Sequence, residues 1–242
     1  MISFLLCGEG ASDIGGAPGV SLEDIVGFDS FAPGPLALLL DSLVKDFGCS
    51  LLERDCVYFA SRKSLKKDLD GVSPRIKLPG IKDGTREMLR YTRMALFLAR
   101  KASELEKDAG GSVVAVCFHD ADPDSRQRDE PLWEKVANAM LLGFDHEGYS
   151  LGVPMVPQPI SEAWFLCALK KTPYQDCGAL ERLSGSRRSP DNLKKRLKEA
   201  QGRTELNNIV LDGSVDHRRI DMPSFNAFRD RLRNVLSGLS RG

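Results

Sequence analysis

Apolar and polar positions fall in two alternating patterns along this chain. Short unbroken apolar runs are separated by longer segments in which apolar residues recur every three or four positions. The first run, residues 2–7 (ISFLLC), has almost no polar alternation and predicts a strand buried on both faces of a sheet. Residues 56–60 (CVYFA) predict a second strand. Residues 112–119 (SVVAVCFH), β-branched and apolar, predict the clearest one. Residues 151–156 (LGVPMV) predict a last strand, which Pro154 confines to a sheet edge or a bulge. Helical spacing covers residues 35–47, opened by Pro35 and closed by Gly48. The longest helix is predicted over 85–108, with Thr85 as cap and Gly110 and Gly111 as stop. Further helices are predicted over 130–142, from 160 after Pro159, over 190–200 and over 223–237. Residues 14–34, rich in Gly, Pro and Ser, predict a long loop. Strand and helix alternate up to about residue 170, which predicts an α/β layer fold with a largely parallel sheet. Residues 171–242 predict a small, partly basic helical extension.

A chain of 242 residues holds one large domain, or one domain with an appendage. With 42% hydrophobic and 28% charged residues it has an ordinary globular composition. No apolar run approaches the roughly 18–20 residues of a membrane helix. The apolar N-terminal stretch lacks the basic flank and the length of a signal peptide. A cytoplasmic protein with no membrane partner is expected. The six cysteines show no C-x-x-C spacing, so neither a zinc site nor a disulfide framework is expected, and buried reduced thiols are.

Lys plus Arg and Asp plus Glu each number 34, so the formal net charge is zero. That excludes coating of nucleic acid by bulk charge, and an acidic tail. By position the charges separate. Residues 120–162 hold nine acidic residues against three basic ones, and residues 182–203 hold eight basic against two acidic. Arg62, Lys63, Lys66 and Lys67 form a second, smaller basic cluster.

In open α/β sheets, sites gather at the C-terminal ends of strands. Three acidic features fall there. Glu9-Gly10-Ala11-Ser12-Asp13 follows the first strand. His119-Asp120-Ala121-Asp122-Pro123-Asp124 follows the strongest one. Glu162, in Pro159-Ile160-Ser161-Glu162-Ala163-Trp164, follows the last. Spacing of two puts Asp120, Asp122 and Asp124 on one side of an extended chain. Two like charges about 4 Å apart repel by about 4 kcal/mol at an effective dielectric near 20. Protons or a cation must relieve that repulsion. An all-oxygen donor set suits Mg²⁺ or Mn²⁺. Glu9 could ligate the same ion, or act as general base on an attacking water.

Other readings of these residues are weaker. An EF-hand loop needs Gly at its sixth position and Glu at its twelfth, where this chain has Ser125 and Pro131. A P-loop needs Lys after Gly15, where Gly16 stands. Asp, Gly and Pro also mark ordinary turns after strands. His119 is expected to pack at the strand end, its side chain pointing away from Asp120 and Asp122. Trp133 and Trp164 are expected in the core. His217, in a polar stretch, either contacts phosphate or is exposed. Lys82, between glycines, is expected in a surface turn, or else to stabilise developing negative charge.

The acidic motifs resemble those of the Toprim domain, the metal-binding fold of topoisomerases, bacterial primases and several nucleases. That family carries E-G-x-x-D after its first strand and D-x-D after a later hydrophobic strand. Here these are Glu9-Gly10-Ala11-Ser12-Asp13 and Asp120-Ala121-Asp122, and the resemblance covers about residues 1–168. The Pro159 to Trp164 element is similar to one in compact bacterial Toprim-like proteins related to nucleases of the overcoming-lysogenization-defect type and to phage-defence effectors. The resemblance implies Glu9 as general acid/base or metal ligand, and Asp120 and Asp122 as metal ligands. Asp124, Asp13 and Glu162 would complete one or two cation sites. Residues 14–34 depart from the family, whose insert there is short.

Within that family a topoisomerase needs a nucleophilic Tyr in a separate large domain, and a primase brings zinc-binding regions. This chain shows neither, which leaves Mg²⁺-dependent phosphodiester hydrolysis in nucleic acid as the expected function, with phage defence as its setting. With no ATPase motif of its own, nucleotide-driven gating would come from a partner ATPase or other defence-system subunit. Assembly with further copies of the chain is a further expectation. Arg187, Arg188, Lys194, Lys195 and Lys198 are the candidate nucleic-acid contacts, Arg187 and Arg188 foremost. A solvated helix face is the competing account of the lysines. Two other functions use the same residues: a binding or regulatory subunit with a degenerate Toprim site, and a metal-dependent phosphohydrolase of small molecules.

Overall fold

A computed structural model describes residues 1–8, 13–19, 25–53, 56–61, 65, 86–121, 132–186, 189 and 192–240. Among these, seven strands are β1 (Ile2–Gly8), β2 (Gly15–Gly16), β3 (Ile25–Gly27), β4 (Ala32–Pro33), β5 (Val57–Ser61), β6 (Ser112–Phe118) and β7 (Gly152–Met155). Seven α-helices are α1 (Pro35–Val44), α2 (Arg86–Ala109), α3 (Leu132–His146), α4 (Glu162–Leu169), α5 (Leu193–Gln201), α6 (Leu206–Leu211) and α7 (Pro223–Leu239).

Five strands form one sheet in the order β3-β5-β1-β6-β7. β1 pairs parallel with β5 and β6, and β6 pairs parallel with β7; β3 alone runs antiparallel, at the edge. The α/β class read from the alternation of elements is therefore the one observed. The reason lies in the central strands, whose two faces are both apolar. Phe4 and Leu6 of β1 point into one hydrophobic cluster with Val114, Val116 and Phe118 of β6, covered by α1, α4 and the C-terminal helices. Leu5 and Cys7 point the other way, with Val113, Ala115 and Cys117, and are covered by α2 and α3. Period-two alternation thus feeds two cores from one strand. Phe225, Phe228, Leu232 and Leu236 of α7 belong to the first cluster.

β7 is an edge strand, one of the two places that Pro154 allows. Its outer side is partly closed by Arg231, which donates to the carbonyls of Gly152 at 2.9 Å and Ser150 at 2.8 Å. That occupies carbonyls which another strand could otherwise use.

Several expectations need correction. Residues 14–34 contain more than loop: β2 and β4 pair antiparallel, and β3 extends the sheet along β5. These ladders are only two or three residues long, too short to leave an apolar pattern. α6 was not foreseen. Cys167 and Cys177 form a disulfide rather than two free thiols. Cys167 is on α4 and Cys177 opens a 3₁₀ turn, and a buried Sγ from each meets between the two. Cys49 is a free thiol, and Cys7 and Cys117 are buried in the sheet. His217 is buried, not exposed. Trp164 is buried as expected, and Trp133 is partly buried against the α2–α3 cluster. The Thr85 cap, Lys82 and the cluster of Arg62, Lys63, Lys66 and Lys67 lie outside the described residues. No helix of the described residues is long and apolar enough to cross a membrane.

α2 and α3 pack closely at Gly143. A Cβ there would collide with the Thr92 carbonyl and stand 2.9 Å from the Leu96 nitrogen. The obstacle is helix backbone, which cannot swing aside. Gly143→Ala is expected to force the helices apart and to lower stability by about 1–3 kcal/mol, despite the better helix propensity of Ala. Urea denaturation of the two proteins measures this; an unchanged or raised midpoint refutes the close-packing account.

Candidate functional site

The register of the parallel strands brings three exits to one rim of the sheet. Cys7 pairs with Cys117 and Phe118 pairs with Met155, so β1, β6 and β7 end side by side. Pairing continues past the strand ends: His119 N–H donates to Met155 O at 3.1 Å, and Ala121 N–H donates to Pro157 O at 2.9 Å. This holds residues 119–121 extended. Alternation then sends His119 and Ala121 to the α2 side and Asp120 to the α4 side.

Asp120 meets the start of α4. Its Oδ1 accepts the Ser161 backbone N–H at 2.8 Å. The Ser161 hydroxyl lies 3.4 Å from Asp13 Oδ1 and 3.5 Å from Glu162 Oε2. One serine therefore touches carboxylates that follow three different strands. Asp13 is held through its backbone, whose carbonyl accepts Leu36 N–H at 2.9 Å in the first turn of α1. Gly34 makes that approach possible, because a Cβ on it would come within 2.7 Å of Gly15 N. α4 is anchored behind the site. Trp164 Nε1 donates to Ser224 Oγ at 2.9 Å, and the Ser224 hydroxyl and N–H donate to Glu181 Oε1 at 2.6 and 2.9 Å. Burial pushes the Glu181 carboxyl up, and the Ser224 bonds oppose that.

The electrostatics follow from this crowding. Burial first, then the charges of Asp13 and Glu162, push the Asp120 carboxyl up to about 8. The Ser161 N–H and Lys194 act in the opposite direction. Lys194 reaches in from the first turn of α5 to stand 3.3 Å from Glu162 Oε1. Asn192 caps that helix, accepting the N–H groups of Lys194 and Lys195 at 2.9 and 3.3 Å.

Of the expected site residues, Asp13, Asp120 and Glu162 are thus brought together. Glu9, Asp122, Asp124, Arg187 and Arg188 lie outside the described residues. Lys194 belongs to the carboxylate site. Lys195 is exposed, 3.8 Å from Glu199, and Lys198 is exposed on the same helix. His119 packs at the strand end as foreseen, edge-on to Tyr91. Arg90 Nη2 lies 2.8 Å from its Nε2, and the Asp120 carbonyl 2.6 Å from its Nδ1. An arginine can only donate, so Nε2 accepts and Nδ1–H donates to Asp120 O. Ser161 is the residue that sequence reasoning missed. Its signal was a hydroxyl residue directly before the helical run that opens with Glu162.

The donors here are all carboxylate oxygen, and one of them is desolvated beside two like charges. That chemistry fits a hard divalent cation. Among the described residues, however, no three His, Cys, Asp or Glu side chains stand close enough to hold an ion by themselves. No protein-family model, curated protein or solved structure matches the chain.

The Asp120 shift has a sign in stability. Below about pH 4 both folded and unfolded chains carry its proton. As pH rises toward 8 the unfolded chain has released it and the folded chain has not, so metal-free stability falls, by at most about 1.4 kcal/mol per pH unit from this group. Asp120→Asn keeps an oxygen for Ser161 N–H and removes the titration. In chelator, it is expected to match the wild type near pH 4 and to melt several degrees higher at pH 8.5. Equal melting temperatures at both pH values would remove the account.

Proposed function

We propose that this chain is a Mg²⁺-dependent phosphodiesterase acting on nucleic acid, built on a Toprim-like α/β domain. The observation that supports this best is the meeting of Asp13, Asp120 and Glu162 around Ser161, at the ends of three parallel strands. Asp120, Asp122, Asp124, Asp13 and Glu162 would hold Mg²⁺ or Mn²⁺. A bound ion there would offset negative charge on the phosphoryl oxygens and supply a water of lowered pKa. Ser161 N–H orients Asp120, and its hydroxyl spaces Asp13 from Glu162. Glu9 would take the proton of the attacking water. Lys194 contributes a positive charge at the edge of the site, suited to a phosphate approaching the carboxylates. A role in phage defence, and a partner ATPase, follow from the family resemblance alone.

Asp120→Ala is expected to abolish Mg²⁺-dependent cleavage of DNA or RNA while far-UV circular dichroism is unchanged. Ser161→Ala, which keeps the backbone donor, is expected to lose about ten- to a hundredfold. An Asp120→Ala protein that cleaves like the wild type overturns the proposal.

A second reading has an observation of its own. Lys194 pairs with Glu162, and no described trio of side chains is ready to hold an ion. That is what a binding or regulatory subunit with a degenerate site would show. Calorimetry with Mg²⁺ and Mn²⁺ separates the two: absence of binding at millimolar metal selects the degenerate subunit.

A further inference from the structure

At the opposite end of α1 from Asp13 lies a cavity of about 210 Å³. Leu36, which holds Asp13, and Asp46, which lines the cavity, are ten positions apart. At 1.5 Å per residue that places the cavity roughly 15 Å from the carboxylates. Its polar lining is Asp46, His217, Arg218, Arg229 and Arg233, and Phe47 and Leu232 form an apolar side.

These polar groups are incompletely matched to one another. The His217 side chain is only 8% exposed and its Nε2 stands 3.6 Å from Asp46 Oδ2. Its Nδ1 is buried with no hydrogen-bond partner among the described residues, as is Arg229 Nε. The rest of Arg229 is fixed, Nη1 on the carbonyls of His217 and Ile220 and Nη2 on Asn226 Oδ1. Arg218 pairs with Asp46 through Nε and Nη2, at the exposed mouth. Arg233 is also exposed, 3.9 Å from Asp230. The wall itself carries three guanidinium groups against one carboxylate. Native proteins seldom leave buried donors unmatched, and guanidinium forks match tetrahedral oxyanions. A ligand bearing two negative charges would balance the surplus.

We propose that this cavity binds a phosphate group, with Arg218, Arg229 and Arg233 as its donors. It is a site separate from the carboxylates and stands whether or not they hold a metal. Asp46 acts as the gate of the site: it occupies Arg218 until a phosphate competes for it. The phosphate can belong to a free monoester or to a nucleic-acid backbone.

The test is a calorimetric titration of the full chain with inorganic phosphate, with EDTA present so that the carboxylate site plays no part. Saturable binding in the millimolar range or tighter is expected. Arg218→Gln with Arg233→Gln, both exposed, should weaken it about tenfold or more. Asp46→Asn should tighten it severalfold, because it frees Arg218 and removes the opposing charge. A 5′-mononucleotide and an oligonucleotide lacking terminal phosphates then name the source. Sensitivity of the mononucleotide alone to the arginine changes assigns a monoester, and sensitivity of both assigns the backbone. No saturable binding up to about 20 mM phosphate overturns the proposal. So does an affinity that the arginine changes leave intact, or one that Asp46→Asn fails to raise.

Discussion

The carboxylate rim depends on one constraint, the register in which β1, β6 and β7 lie parallel. With Cys7 opposite Cys117 and Phe118 opposite Met155, three strands stop at the same level. Gly8 is part of that fit, because a Cβ on it would stand 2.6 Å from the Phe118 ring. Slipping any strand by one residue would turn its apolar set to the wrong core and move one carboxylate away from the others. The two hydrophobic clusters therefore hold the site in place even though neither contains a site residue. Large-scale packing does the positioning, and the hydrogen bonds of Ser161, one at 2.8 Å and two at 3.4 and 3.5 Å, complete it.

That division explains what could be read from the sequence. Strands β1, β5 and β6 and helices α1, α2 and α7 bury whole faces, so each leaves a run or a period in the residue pattern. Asp13, Asp120 and Glu162 could be found because strand ends predict where side chains collect. β2, β3 and β4 were missed because two or three paired residues bury too little to leave a pattern. The Cys167–Cys177 bond was missed for a different reason. Ten residues of separation on a helix and a turn have no spacing signature, and only the fold brings the two sulfurs together. His217 read as a phosphate contact or an exposed residue because its neighbours Asp216, Arg218 and Arg219 are polar. Its burial comes from α7 and from Asp46, which is far away in sequence.

Lys194 shows how local charge can mislead. Among eight basic residues it read as one more phosphate contact, and spacing alone could not separate it from Lys195 or Lys198. The Asn192 cap and the burial of Leu193 and Leu197 orient α5, and this orientation brings Lys194, and neither of the other two, to Glu162. The acidic segment and the basic segment, which cancel in the net charge of the chain, thus also cancel in part across space.

This partial cancellation bears on how three carboxylates can share one rim. Like charges so close repel, and the chain offsets them in three ways. Asp120 retains its proton up to about pH 8. Lys194 faces Glu162, and the Ser161 N–H at the start of α4 serves Asp120. Each is a reversible measure. A proton can leave, a lysine on the surface can turn away, and the N–H binds an ionised carboxylate better than a neutral one. A rim meant only for stability would be better served by amides or apolar groups, because buried like charges are a poor way to hold a fold. Carboxylates kept together at such expense, with offsets that a hard cation could replace, are the physical reason for reading the rim as a site rather than as a turn.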